Sequence, residues 1–346
     1  MFSYSGAGPW WGGPMWGGPM WGGLHPGVLT DPVSSAAMAL TRETLVAYSP
    51  IQSDVVAPSW ESPMAAPVAR SDPSAIDEQL LAYSPSVRIA IIVGELVGAL
   101  SVSGNSDRVV LGDGNATIAL LEAPGAYLAS EIAQTKNIVA TVRGQKVLPM
   151  VNTLLAQDQD PLAPFMYVLG MGNGTRLRTA EVLAVANEAL GSKIFAMKHR
   201  LRMQRPQVYD AEIVPLLSVP SHLSYPGGHA AKGFLAATLL KALVGARPGF
   251  AKTIDTLAAL VGDNRVNAGL HFPVDTAAGE VLGSAFGHWL IATAGPGRSD
   301  PWSGAGLRAS AGGGGRPLVR AGQPQTDTTA DIQVWRTLWA AAAAEW

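Results

Sequence analysis

A chain of 346 residues with 48% hydrophobic and 14% charged positions has enough apolar side chains for one large core, which excludes a wholly disordered protein. Its net charge of −2 leaves no overall positive field to hold nucleic acid or an anionic membrane, so a small molecule is the expected partner. Cysteine is absent, which excludes disulfides and thiolate metal sites.

Residues 1–75 differ from the rest. "WGGPMWGGPMWGG" repeats Trp-Gly-Gly-Pro-Met from Trp11 to Met20 and begins a third copy at Trp21. Glycine and proline at this density oppose regular helix and central strand. The evenly spaced indoles leave two readings open, a disordered tail or a Trp-rich arm that assembles a homo-oligomer. The opening residues have neither a basic stretch nor a continuous apolar run of the secretory kind. A cytoplasmic location is therefore expected, with unconventional export as the alternative. No membrane span is expected either: "RIAIIVGELVGAL" is interrupted by Glu95, whereas a span needs about 20 mostly apolar residues.

From residue 76 to 295 the apolar residues recur at helical spacing, and the predicted fold class is mainly α, a helical bundle. The expected helices are "DEQLLAY", "VRIAIIVGELVGALSV", "AYLASEIAQTKNIVATV", "KVLPMVNTLLAQ", "RTAEVLAVANEALGSKIFAMKHRL", "AAKGFLAATLLKALV", "AKTIDTLAALVGDNRVNAGL" and "PVDTAAGEVLGSAFGHWLIATA". "DRVVLGDGNATIALLEA" reads instead as a hairpin around Asp-Gly-Asn. Residues 296–330 form a Gly/Pro/Ser-rich linker. The final stretch, 331–346, puts Ile332, Trp335 and Trp339 on one face of a helix suited to docking.

Three short stretches hold the unusual polar residues. In "KHRLRMQRP", Lys198 and Arg205 stand two helical turns apart before Pro206 ends the run. In "SYPGGHA", Gly227 and Gly228 let backbone approach a ligand at the start of a helix, where unpaired amides favour an anion, and His229 sits at that end. In "NRVNAGLHFPVD", Arg265 precedes His271, and Pro273 begins a helix that carries Asp275 in its first turn. Asp275 is thereby placed to accept the His271 N–H and fix its tautomer.

Lys-x6-Arg-Pro, then Pro-x-Gly-His, then Arg-x5-His-x3-Asp, in that order, resembles the superfamily of type 2 phosphatidic acid phosphatases, bacterial non-specific acid phosphatases and vanadium-dependent haloperoxidases. The resemblance runs from about Ala180 to Gly295. It implies a site for a tetrahedral oxyanion, phosphate or vanadate, held by Lys198, Arg205, Arg265 and the amides of Gly227 and Gly228. In the phosphatases the resemblance makes His271 the nucleophile and His229 the acid and base toward a phosphomonoester. In the haloperoxidases it makes His271 the vanadium ligand, with vanadate as cofactor and peroxide and halide as substrates. The absent membrane spans favour the soluble branches of the family.

This chain departs from the family pattern at Gly227, where relatives usually carry serine. The missing hydroxyl is worth about 1–3 kcal/mol unless a water or the Gly227 amide replaces it. Asn264 also stands where serine is commoner. "HLSYPGGHA", with His222 as a candidate halide neighbour, leans the reading toward halide oxidation. Acid phosphatase activity is the alternative, and a self-assembling scaffold with impaired catalysis is the second.

Overall fold

Helix breakers and caps decide where each element of the chain begins. A computed structural model describes residues 79–114, 117–125, 128–144, 148–171, 175–245, 248–295, 319–321 and 332–346. The Trp-rich stretch of residues 1–75 and most of the 296–330 linker lie outside them. Pro85 occupies the first turn of α1 (Pro85–Ala99), which buries Arg88, Ile89, Ile92 and Leu96 on one face. The expected helix over "VRIAIIVGELVGALSV" stops short of its last residues. Leu100 is extended, and the Lys193 ammonium donates to the Val97 and Leu100 carbonyls at 2.9 and 2.8 Å, satisfying the helix end. Ser101 and Val102 instead open β1 (Ser101–Gly104).

The expected hairpin is present as β2 (Arg108–Gly112) and β3 (Thr117–Glu122), antiparallel with Val109 opposite Leu121. Three residues of the expected linker, β4 (Val319–Ala321), pair with β3 and complete a four-stranded antiparallel sheet in the order β1-β2-β3-β4. Val109, Leu111, Ile118 and Leu121 belong to the same buried core as the helices. The other helices are α2 (Leu128–Arg143), α3 (Leu148–Gln159), α4 (Ala163–Val168), α5 (Leu177–Leu201), α6 (Pro206–Tyr209), α7 (Gly228–Val244), α8 (Pro248–Asn267), α9 (Pro273–Thr293) and α10 (Gln333–Ala343). The fold is mainly helical, as the periodicity predicts. None of the described helices is long and apolar enough to cross a membrane.

The centre of the molecule is the pair α7 and α9, both buried around most of their circumference. Their approach is close enough to need glycine on α9. A Cβ at Gly283 would overlap the Ala231 carbonyl of α7, and one at Gly287 would stand 2.8 Å from the Thr238 methyl. This contact holds the N-terminus of α7 against the first turn of α9, where the second and third motifs meet.

α10 docks on the same core through Trp335, Leu338 and Trp339, and the Trp335 indole donates to the Leu290 carbonyl at 2.9 Å. Just beyond it, the Glu345 carboxylate accepts from the Arg178 and Thr179 amides at 2.8 Å each. It thus caps α5 at the end opposite Lys198, where helix amides lack partners and a negative charge is favoured. Trp346 closes the joint by stacking on the Arg176 guanidinium.

Candidate active site

Each functional side chain is delivered by a local stop signal. At the end of α5, Arg202 takes the left-handed conformation and its N–H returns to the Lys198 carbonyl at 3.0 Å. The helix ends there, so Lys198 remains on its last turn and Arg205 falls on the N-cap of α6. The expected helix through Leu270 ends at Asn267 instead. Gly269, at φ 72°, donates to the Val266 carbonyl while Leu270 donates to that of Arg265. This Schellman stop reverses the chain after Arg265, and His271 follows two residues beyond the glycine. Pro273 then starts α9, with Asp275 at its third position.

The third motif assembles as expected. Asp275 Oδ2 accepts from His271 Nδ1 at 2.8 Å, from the Phe272 amide at 3.0 Å and from the Ser224 hydroxyl. Burial raises the Asp275 carboxyl above its ordinary range, and Ser224, Phe272, Lys198 and Arg205 pull it back. A guanidinium can only donate, so the 2.9 Å contact of Arg205 Nη1 with His271 Nε2 needs that nitrogen unprotonated. The proton of His271 is thereby fixed on Nδ1, leaving a lone pair on Nε2. Burial, then the charges of Arg205 and Lys198, hold His271 well below its usual value. It is a neutral ring with one available nitrogen, which faces Arg205 Nη1 at 2.9 Å.

The three expected basic side chains, Lys198, Arg205 and Arg265, are all buried. Arg205 also donates to the Leu270 carbonyl at 2.7 Å and to the His222 carbonyl at 3.0 Å. Lys198 donates to the carbonyls of Leu223 and Ser224. Arg265 is held through Nη1 by Asp158 at 2.9 Å and lies 3.2 Å from His229 Nε2. Its Nε and Nη2 are buried and have no hydrogen-bond partner among the described residues. Buried donors are normally satisfied, so this half of the guanidinium is shaped for an acceptor from outside the chain.

His229 Nε2 also lies 3.2 Å from the Gln157 carbonyl. Unprotonated, that nitrogen accepts from Arg265; protonated, it donates to Gln157. Burial, then Arg265 and Lys232, push its pKa well down. His222 rests edge-on against Phe195, with Nδ1 3.2 Å from Arg205 Nη2 and 2.9 Å from the Leu223 carbonyl. Burial and the nearby cations take it down to about 3, so it is uncharged at neutral pH. Lys198, His222, Gly228, His229, Lys232 and His271 line one cavity together with Ile194 and Phe195.

Gly227 departs from expectation. Its N–H donates to the Asp275 carbonyl at 2.8 Å, so the amide is not a free donor that replaces the missing hydroxyl. A Cβ at this position would lie 2.7 Å from the same carbonyl oxygen, too close for any side chain without movement of α7 against α9. Gly227 is an anchor between two helices, and Gly228 is the glycine that lines the cavity.

Sequence reading missed a fourth wall. The C-terminal end of α3 and the turn after it bring Gln157, Asp158 and Asp160 to the site, where Gln157 also accepts from Asn264 at 2.9 Å. Its one signal was the polar run "AQDQD" at the end of a predicted helix. Ser224 and Lys232 were missed too, the latter a single lysine within the apolar run "HAAKGFLAATLL".

Residues 179–296 match the family model of the PAP2 superfamily, a span that includes every expected site residue but not the α3 wall. A search of curated proteins finds no significant match.

Proposed function

With a PAP2-superfamily segment as the premise, a family of phosphatases and haloperoxidases, we propose that this chain hydrolyses phosphomonoesters through a phosphohistidine on His271. One observation carries the reading. Arg265, whose buried Nε and Nη2 have no partner among the described residues, lies 3.2 Å from His229, and His229 lines one cavity with a histidine whose Nδ1 is tied to Asp275 and whose Nε2 carries a lone pair.

The chemistry follows from these groups. A phosphoryl group takes the place beside His271 Nε2 that Arg205 now fills, with its oxygens on Lys198, Arg205, Arg265 and the Gly228 amide. Nε2 attacks phosphorus as the bond to the ester oxygen breaks, and His229 gives that oxygen a proton. Asp275 stabilises the positive charge on His271 without taking its proton. His229, now neutral, removes a proton from water, the hydroxide attacks phosphorus, and the bond to Nε2 breaks to release inorganic phosphate. Burial, then positive neighbours, hold the proton off His229 in the free site, and a bound dianion opposes the charges. The substrate itself therefore draws a proton onto the acid.

A second reading rests on the same donors and on His222, which lines the cavity. Vanadate is a tetrahedral oxyanion like phosphate, and the open half of Arg265 and the fixed lone pair of His271 suit it equally. Lys198, Arg205 and Arg265 would hold its oxygens and His271 its metal. Bound there, it would supply Lewis-acid chemistry for oxidation of halide by peroxide. His222, neutral and already engaged by Arg205, offers halide no positive charge, which favours hydrolysis.

Hydrolysis of a small aryl phosphate is to be compared with bromide oxidation by peroxide after vanadate loading. The expected result is hydrolysis that His271→Ala abolishes and His229→Ala slows by roughly 10²–10⁴-fold. Bromide oxidation without hydrolysis would reverse the order of the two readings. No saturable binding of phosphate or vanadate would leave only the scaffold alternative.

A further inference from the structure

Lys232 is the charged side chain of the cavity that the mechanism above does not use. It lies three residues after His229 on α7, on the same helical face, and is 2% exposed. Side chains on a helix lean toward its N-terminus, so a long lysine at this position covers the turn that carries Gly228 and His229. It lines the cavity with both of them and with Lys198 and His271. An ammonium removed from water is costly unless negative charge faces it. Glu188 on α5 and Asp160 after α3 provide that charge, while burial lowers Lys232 to about 8. Two other carboxylates are committed elsewhere, Asp158 to Arg265 and Asp275 to His271.

The α7 wall also needs a donor. Gly227 has no room for a hydroxyl-bearing side chain, and its amide is spent on Asp275. His229 is a neutral ring in the free site. We propose that Lys232 is a fourth cation of the oxyanion site and donates directly to an oxygen of the bound phosphate, supplying the side-chain donor that position 227 cannot. This rests on the oxyanion reading above and deepens it. Lys232 binds substrate oxygen, and its charge stabilises what accumulates on the equatorial oxygens during transfer.

The test is calorimetric titration of the full chain with inorganic phosphate and with orthovanadate. Lys232→Met should weaken both anions by roughly 10- to 100-fold, the range for loss of one charge-assisted hydrogen bond. Removing the ammonium also leaves the Glu188 and Asp160 carboxylates without its countercharge, and their repulsion alone would weaken an anion. The double variant Glu188→Gln/Lys232→Met removes the Glu188 share of that repulsion and guards against a single variant that fails to fold. Persistent weakening in the double variant supports the proposal. Wild-type affinity in either variant overturns it while leaving the oxyanion site intact. Failure of the wild-type protein to bind either anion overturns both.

Discussion

Gly227 shows how one position can carry opposite meanings in sequence and in space. Against the family pattern that it resembles it reads as a lost hydroxyl, which suggests that serine would restore function. In the fold, its amide joins α7 to the Asp275 carbonyl, and a Cβ would stand 2.7 Å from that oxygen. Gly227→Ser is therefore expected to destabilise the protein by about 1–3 kcal/mol, the usual range for forcing atoms into a packed interior. Denaturant midpoints measure this. Phosphate affinity should fall or stay level, because the hydroxyl arrives only by separating the helices that align His229 and His271. A serine variant that binds phosphate more tightly at unchanged stability would contradict this account. The same residue-scale logic covers His271: which nitrogen is left unprotonated is defined by the hydrogen bond on the other one, to Asp275 four residues away on the first turn of α9.

At the scale of elements, the site is a meeting of helix ends held by a close helix pair. α5 ends at Lys198–Leu201, α7 begins at Gly228, α8 ends just after Arg265, and α9 begins just after His271. Helix ends are where backbone groups are unpaired and charge is favoured, so charged side chains collect there. The glycines of α9 let α7 lie against it and set the separation of the two histidines. Gly283→Ala places a methyl group on the Ala231 carbonyl of α7, a backbone atom that cannot rotate away. The expected loss is about 2–3 kcal/mol in a urea titration, together with weaker phosphate binding, although Gly283 lies two turns beyond Asp275. A loss of stability without any effect on binding would mean that the helix pair supports the fold but does not set the site. The periodicity of α5, α7 and α9 was plain in the sequence. The end of α8 was misplaced because "NAGL" has helical spacing, whereas the left-handed Gly269 is a backbone event that spacing does not encode.

At the scale of the whole molecule, the interior stores positive charge and neutral imidazoles that are stable only while the fold excludes water. His222, His229 and His271 all resist protonation when folded, His222 down to about 3, whereas in the unfolded chain each takes a proton near 6.5. Between pH 7.5 and 6 the unfolded chain therefore binds more protons, and stability falls as pH is lowered. Asp160 has the opposite sign. Its carboxyl is raised to about 6, so the folded state gains protons first, and its stabilising effect grows as pH falls further. The histidines dominate above pH 6, and the expected loss from pH 7.5 to 6 is about 1–2 kcal/mol in denaturant titrations. Stability that is flat or rises over this interval would show that the imidazoles are solvated in solution.

The long helices, the β2–β3 hairpin, the docking face of the last helix and the order of the three polar motifs were legible from residue types, because each depends on residues close in the chain. Tertiary structure alone decided that Gly227 is an anchor, that Arg265 is held by Asp158, that Gln157 stands behind His229, and that Lys232 lines the cavity. Asp158 and Arg265 are 107 residues apart, and no local spacing relates them. A buried charge must find its partner wherever the packed helices bring one, so those pairings became visible only when α3, α7 and α8 were placed side by side.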